Sequence, residues 1–86
     1  MIKISFAPEF FRRLKKLEKD LQEEAFEKIN LFRNRANHKS LKVHKLKGKL
    51  RNKHGFSVNY KYRIVFIYLT DNEAYLETVG DHDIYK

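Results

Sequence analysis

Apolar and polar positions alternate at the start of the chain: Ile2, Ile4 and Phe6 are separated by Lys3 and Ser5, the two-residue period of a strand with one buried face. Ala7-Pro8 ends the alternation, and Pro8 suits the first turn of a helix, where its missing N–H has no intrahelical partner to serve. The period then changes. Phe10, Leu14 and Leu17 recur at i, i+4 and i+7, with Arg12, Arg13, Lys15, Lys16 and Lys19 around the other side, which predicts an amphipathic helix of roughly ten residues. Asp20 with Glu23 reads as a capping box opening a second helix, whose apolar stripe is Leu21, Ala25, Ile29 and Phe32. Glu23, Glu24 and Glu27 put negative charge toward its N-terminus, where the helix dipole favours it. Almost no linker separates the two patterns, so the helices are expected as an antiparallel hairpin.

Periodicity is lost at Asn34-Arg35-Ala36-Asn37. Leu41 to Leu50 is basic and irregular, with Gly48 permitting a turn. Phe56 to Tyr60 alternates as a strand, and Arg63 to Leu69 is apolar on both sides, which predicts the central strand of the sheet. Asp71-Asn72 makes a turn, and Ala74 to Val79 returns as the last strand. The order is β-α-α-β-β-β. An α+β fold follows, one domain over residues 1–86, with a helix hairpin packed on a small, mostly antiparallel sheet. Phe10, Phe32, Phe56, Phe66 and Tyr68 keep to these periods and are expected in the core.

Composition narrows the setting. A chain of 86 residues has room for one modest core, and the absence of Cys removes disulfides and thiolate metal sites as supports. The longest wholly apolar run, Ile64 to Leu69, is too short to span a bilayer, and the N-terminus lacks the basic-then-apolar layout of a signal peptide, so a cytoplasmic protein is expected. The four His residues show no His-x-x-x-His spacing, so neither a metal nor a cofactor is expected.

Charge changes the picture most. The formal net charge is +8, and from Lys28 to Thr70 the chain carries twelve basic residues and no acid. A solvated face mixes signs; an acid-free stretch of this length implies a surface meant for a polyanion. Nucleic acid is favoured over a membrane surface, because the region alternates like a strand and holds no basic amphipathic helix. Within it Lys45, Lys47, Lys49, Arg51 and Lys53 alternate with other residues, and Lys61 lies between Tyr60 and Tyr62 beside Arg63. Lysines suit solvated loops in any case, but without acids to pair they are read as phosphate contacts, and the neighbouring aromatics as stacking platforms for bases.

Three segments then stand out: His44-Lys45-Leu46-Lys47-Gly48, Phe56-Ser57-Val58-Asn59-Tyr60-Lys61-Tyr62-Arg63-Ile64-Val65-Phe66, and Gly80-Asp81-His82-Asp83-Ile84-Tyr85. Together with the element order they resemble the RelE/ParE superfamily of toxins from type II toxin–antitoxin systems. The resemblance implies a compact toxin held inactive by a cognate antitoxin. It also implies messenger RNA on the ribosome as target, with contacts to 16S rRNA, cleaved without a metal by an mRNA interferase of the RelE, YafQ or HigB kind. ParE-type members instead poison DNA gyrase. On this resemblance Arg63 matches the arginine that contacts the scissile phosphate, His82 stands where relatives carry a catalytic His or Arg, and Tyr85 matches an aromatic near the substrate. Some ribosome-dependent relatives carry Lys or Arg at the places of His54, Phe56 and Ser57; here only His54 is ionisable.

The residue types suit that chemistry. RNA carries its own nucleophile, the 2′-OH, so cleavage needs a base, positive charge for the phosphorane and an acid for the departing 5′ oxygen. A guanidinium such as that of Arg63 stays protonated and grips two phosphate oxygens at once. An imidazole such as that of His82, with an ordinary pKa of about 6.5, transfers protons near neutral pH, and Asp81 or Asp83 is available to orient it. His54 is a second candidate base, and Tyr85 suits stacking or a phosphate hydrogen bond. Pattern alone does not assign these roles, since an arginine reaching to water from a strand head is ordinary. Three readings stand: an endoribonuclease, a gyrase poison without catalysis of its own, and an inactive relative that binds an antitoxin and, as a complex, operator DNA.

Overall fold

The structure, a computed structural model, describes residues 1–50, 52–81 and 84. In chain order the elements are β1 (Lys3–Phe6), α1 (Pro8–Leu14), α2 (Lys19–Phe32), β2 (His44–Lys45), β3 (His54–Ser57), β4 (Arg63–Thr70) and β5 (Glu73–Gly80), with 3-10 turns at Arg35–Asn37 and Gly48–Leu50. The strands make one sheet in the order β1-β5-β4-β3-β2. Only β1 and β5 run parallel. This is the α+β arrangement expected, with β4 central and one short strand, β2, added at an edge. His44 and Lys45 are both exposed, so no apolar alternation marks β2; its backbone alone pairs it with Gly55 and His54.

Pro8 opens α1 as expected, with Ala7 extended before it. The helix is seven residues long, shorter than its stripe suggests. Past Leu14 the chain tightens: Lys16 N–H donates to the Arg13 carbonyl at 3.1 Å and Leu17 N–H to that of Leu14 at 3.0 Å, so Leu17 packs on the core from a turn. The capping box does not form. α2 begins at Lys19, before Asp20, and no side chain caps it. Gln22 ties its start instead, donating from Nε2 to the Leu17 carbonyl at 2.8 Å. Asp20 still lies in the first turn, where its charge suits the dipole.

Ala25, Ile29 and Phe32 of α2 are buried against Phe10 and Leu14 of α1 and Phe56, Ile64, Phe66, Leu76 and Val79 of the sheet. Phe32 stacks on Phe56 with ring centroids 4.6 Å apart and meets Phe66 edge-on at 4.8 Å. On its far side the His38 ring lies parallel to it at 4.6 Å, its Nε2 2.7 Å from the Phe32 carbonyl. Gly48 provides the expected turn, with φ +69°, a conformation L side chains resist.

β4 is buried on both sides, as its sequence predicts. Ile64 and Phe66 face the helices, while Val65 between them points the other way, only 2% exposed, with Gly55 and Thr78 across from it. Arg63, two positions before Val65 on β4, belongs to that second face. β3 spans 54–57 rather than the expected 56–60, because Asn59 stops it. Its Oδ1 accepts from the N–H groups of Lys61 at 2.9 Å and Tyr62 at 2.8 Å, and Val58 N–H donates to the Tyr62 carbonyl at 2.9 Å, closing a turn. No helix among the described residues is long and apolar enough to cross a membrane.

Candidate nucleic-acid interface

At one end of the second face, Ser57, Arg63 and Gly80 pair across β3, β4 and β5. Arg63 heads β4 and turns its half-buried side chain back on the loop before it. Nη1 donates to the Asn59 carbonyl at 2.5 Å and to the Tyr62 carbonyl at 3.1 Å. Both bonds use the same nitrogen. The Nε–Nη2 edge, the fork that takes two oxygens side by side, meets no protein acceptor among the described residues.

Gly80 is bare for a reason. A Cβ there would stand 2.4 Å from Cγ2 of Ile84, so only glycine lets that side chain lie against the strand end. The same point is 3.8 Å from Nη1 of Arg13. β1 pairs only with Glu73–Leu76, and α1 packs on β5. A groove of 530 Å³ results, lined by Arg12 and Arg13 of α1 and Lys16 of the turn after it, together with Tyr62, Gly80 and Asp81. Sequence reasoning assigned those three basic residues to a solvated helix face. Nothing in the periodicity of α1 signals that this face borders the end of β5. Glu9 moderates the charge, 3.4 Å from Arg13 Nε and 3.8 Å from Arg12 Nη2, in exposed pairs worth little.

The other candidates divide. His82 and Tyr85, like Arg51, lie outside the described residues; Asp81, which lines the groove, directly precedes His82 in the chain. His54 does not join Arg63. Its cross-strand partner is Phe66, and its ring meets Phe66 at 5.5 Å and Tyr68 at 4.9 Å, on the helix side of the sheet. Phe66 lies three positions beyond Arg63 along β4, roughly 10 Å, and the pleat puts the two on opposite faces. Lys45, paired with His54, goes with it. Lys47 and Lys49 are exposed in the β2–β3 connection, and Lys61 is exposed with its Nζ 5.6 Å from the centre of the Tyr62 ring. Lys53 is not a free cation: its Nζ lies 2.8 Å from Oε1 of Glu77, an ion pair across the second face. The acid-free window is therefore acid-free along the chain but not in space.

Burial pushes the His54 imidazole below its ordinary pKa of 6.5, and repulsion from Lys45 and then His44 adds to the effect. Its Nδ1 is buried and has no hydrogen-bond partner among the described residues. The unfolded chain thus takes up this proton more readily than the folded one. Stability is lost as pH falls from about 6.5 toward the lowered folded value. We expect the melting temperature to drop between about pH 7.5 and pH 5, and to drop less in His54→Phe, which keeps the ring contacts and removes the titration. Parallel melting curves for the two proteins over that range contradict this.

No protein-family model matches the chain, and no curated protein does. Solved structures do. The YoeB–YefM complex from Staphylococcus aureus aligns at 21% identity over 95% of this chain and 98% of that one, with a TM-score of 0.72. The DinJ–YafQ toxin–antitoxin complex from E. coli aligns at 18% identity over 96% and 94%, with a TM-score of 0.74. The archaeal RelE–RelB complex from Pyrococcus horikoshii aligns at 13% identity over 93% of each chain, with a TM-score of 0.72. At these identities the likeness is one of fold, and the fold is that of the RelE-type toxins.

Proposed function

We propose that this chain is the toxin of a type II toxin–antitoxin system: an endoribonuclease of the RelE, YafQ and HigB kind that cuts messenger RNA on the ribosome and so stops translation. The observation that carries the reading is Arg63, whose Nη1 is fixed by two carbonyls while its Nε–Nη2 fork meets no protein acceptor among the described residues. An arginine pre-set in this way suits a phosphate whose charge grows in the transition state. In the reaction the 2′ oxygen gives up its proton to a base and attacks the adjacent phosphorus. The bond to the 5′ oxygen breaks, and that oxygen takes a proton from an acid. The products end in a 2′,3′-cyclic phosphate and a 5′-OH. His82 is our candidate for proton transfer and Tyr85 for holding the neighbouring base. We do not assign the base to His54, because it faces away from Arg63.

Lys47, Lys49, Arg51 and Lys61 would meet phosphates along the strand or in ribosomal RNA. Each such contact steepens the salt dependence of binding to single-stranded RNA by about 0.7 in log–log slope. Replacing Lys47 and Lys49 with Ala should flatten the slope by roughly that amount per residue. Lys53→Ala should leave it almost unchanged, because Glu77 already neutralises that charge. An equal effect at Lys53 contradicts this division.

The partner we propose is an antitoxin that lays an acidic segment over the basic face, with operator DNA reached only by the joint complex. The DinJ–YafQ structure named above is itself a toxin–antitoxin complex. Gyrase poisoning is the less supported reading: the solved neighbours named are RelE, YoeB and YafQ structures, and a protein-binding poison has no use for a phosphate fork. Induced expression of wild type, Arg63→Ala and His82→Ala separates the two. The nuclease reading expects arrested translation with wild type and relief with both variants. Growth arrest with DNA-damage signalling and continued protein synthesis supports the gyrase reading instead.

A further inference from the structure

We infer that Asn59, tied to α2 through Glu24, is a positioning residue for the phosphate-gripping edge of Arg63; the inference rests on the nuclease reading only for what that edge does. Asn59 bonds in three directions at once. Its Oδ1 closes the β3–β4 turn by accepting from Lys61 and Tyr62 N–H at 2.9 and 2.8 Å. Its Nδ2 donates across 35 positions of chain to Oε1 of Glu24 at 3.1 Å. Its own carbonyl accepts from Arg63 Nη1 at 2.5 Å. The second acceptor for Nη1, the Tyr62 carbonyl, belongs to the same turn and also takes the Val58 and Asn59 N–H groups.

Both oxygens that fix the guanidinium plane are therefore oriented by one side chain. That side chain is anchored to a helix whose inner face is the core of the molecule. A guanidinium held only through Nη1 swings about that point if the turn relaxes. The fork then leaves the line in which it meets a phosphate, and an error near 1 Å in such a group costs on the order of 100-fold in rate. Ground-state binding of RNA, spread over the lysines, should barely notice. Glu24 keeps its other oxygen for Lys28, 3.8 Å away, which steadies the carboxylate that receives Asn59.

The test compares wild type, Asn59→Ala, Asn59→Asp and Glu24→Ala in single-turnover RNA cleavage, RNA binding, thermal melting and the NMR cross-peak of Arg63 Nε–H. Asn59→Ala should move the Arg63 signal toward that of a free arginine and slow cleavage about 10-fold to 100-fold, with RNA affinity within about twofold. Glu24→Ala removes only the anchor and should fall between wild type and Asn59→Ala in both readouts, while Asn59→Asp keeps the turn acceptor but sets a like charge against Glu24 and should fall below Glu24→Ala. The Asp and Glu24 variants leave the turn's own bonds intact and keep the test decisive if Asn59→Ala folds poorly. An Arg63 signal unmoved in all three variants overturns the inference. A moved signal in a protein that cuts no RNA upholds the positioning and removes the nuclease reading instead.

Discussion

Arg63→Ala should slow RNA cleavage by roughly 100-fold to 1,000-fold, the cost of removing one preorganised donor from a developing anion. The thermal midpoint should hardly change. Among the described residues the guanidinium bonds only to the carbonyls of Asn59 and Tyr62, in a turn that Asn59 Oδ1 closes independently. Arg63→Lys should recover little, because an ammonium keeps the charge and loses the two-pronged edge. The check is single-turnover cleavage beside a melting curve on the same preparations. Equal loss of rate and of stability contradicts the assignment, as does full activity in Arg63→Lys.

Phe32→Ala carries the largest expected cost to the fold. Phe32 is fully buried, stacked between Phe56 and His38 and edge-on to Phe66, and so joins α2 to both β3 and β4. Truncating such a ring typically removes about 3–5 kcal/mol, transfer and cavity terms together. A domain of this size holds roughly 5–15 kcal/mol in all, so the variant keeps a small margin at best. Its midpoint should fall by more than about 10 °C. Phe32→Leu fills part of the space and should lose clearly less. Urea unfolding measures both, and a loss under about 1.5 kcal/mol for Phe32→Ala contradicts this view of the core.

The parts of this fold legible in the sequence are those where burial is periodic. The stripe of Ala25, Ile29 and Phe32 gives α2, and the two-sided apolar run from Arg63 to Leu69 gives the central strand. Pro8 and Gly48 mark their turns through backbone restrictions that act locally. Features set by tertiary pairing were not legible. Phe56 to Tyr60 alternates as a strand would, yet the Asn59 side chain bends the chain back and the ladder ends at Ser57. Asp20 and Glu23 have the spacing of a capping box, but α2 starts at Lys19 with Gln22 tying its first turn.

The candidate site divides in the same way. Arg63 is legible because it heads the most apolar strand and sits in a segment that resembles a toxin family. The face His54 takes depends on the register with Phe66, which the sequence of β3 alone does not reveal. Lys53 looks unpaired only until β5 brings Glu77 to 2.8 Å. Arg13 reads as solvated helix surface until α1 packs beside β5 and brings it to Gly80. Each of these depends on a contact far along the chain, where local pattern carries no signal.

Whether Arg63 serves RNA cleavage is read from the 5′ ends of cellular RNA mapped after induction. New 5′-OH ends are expected inside coding regions with wild type, and should be lost with Arg63→Ala at equal protein level. Intact messages with wild type, or the same ends in both, would contradict that role.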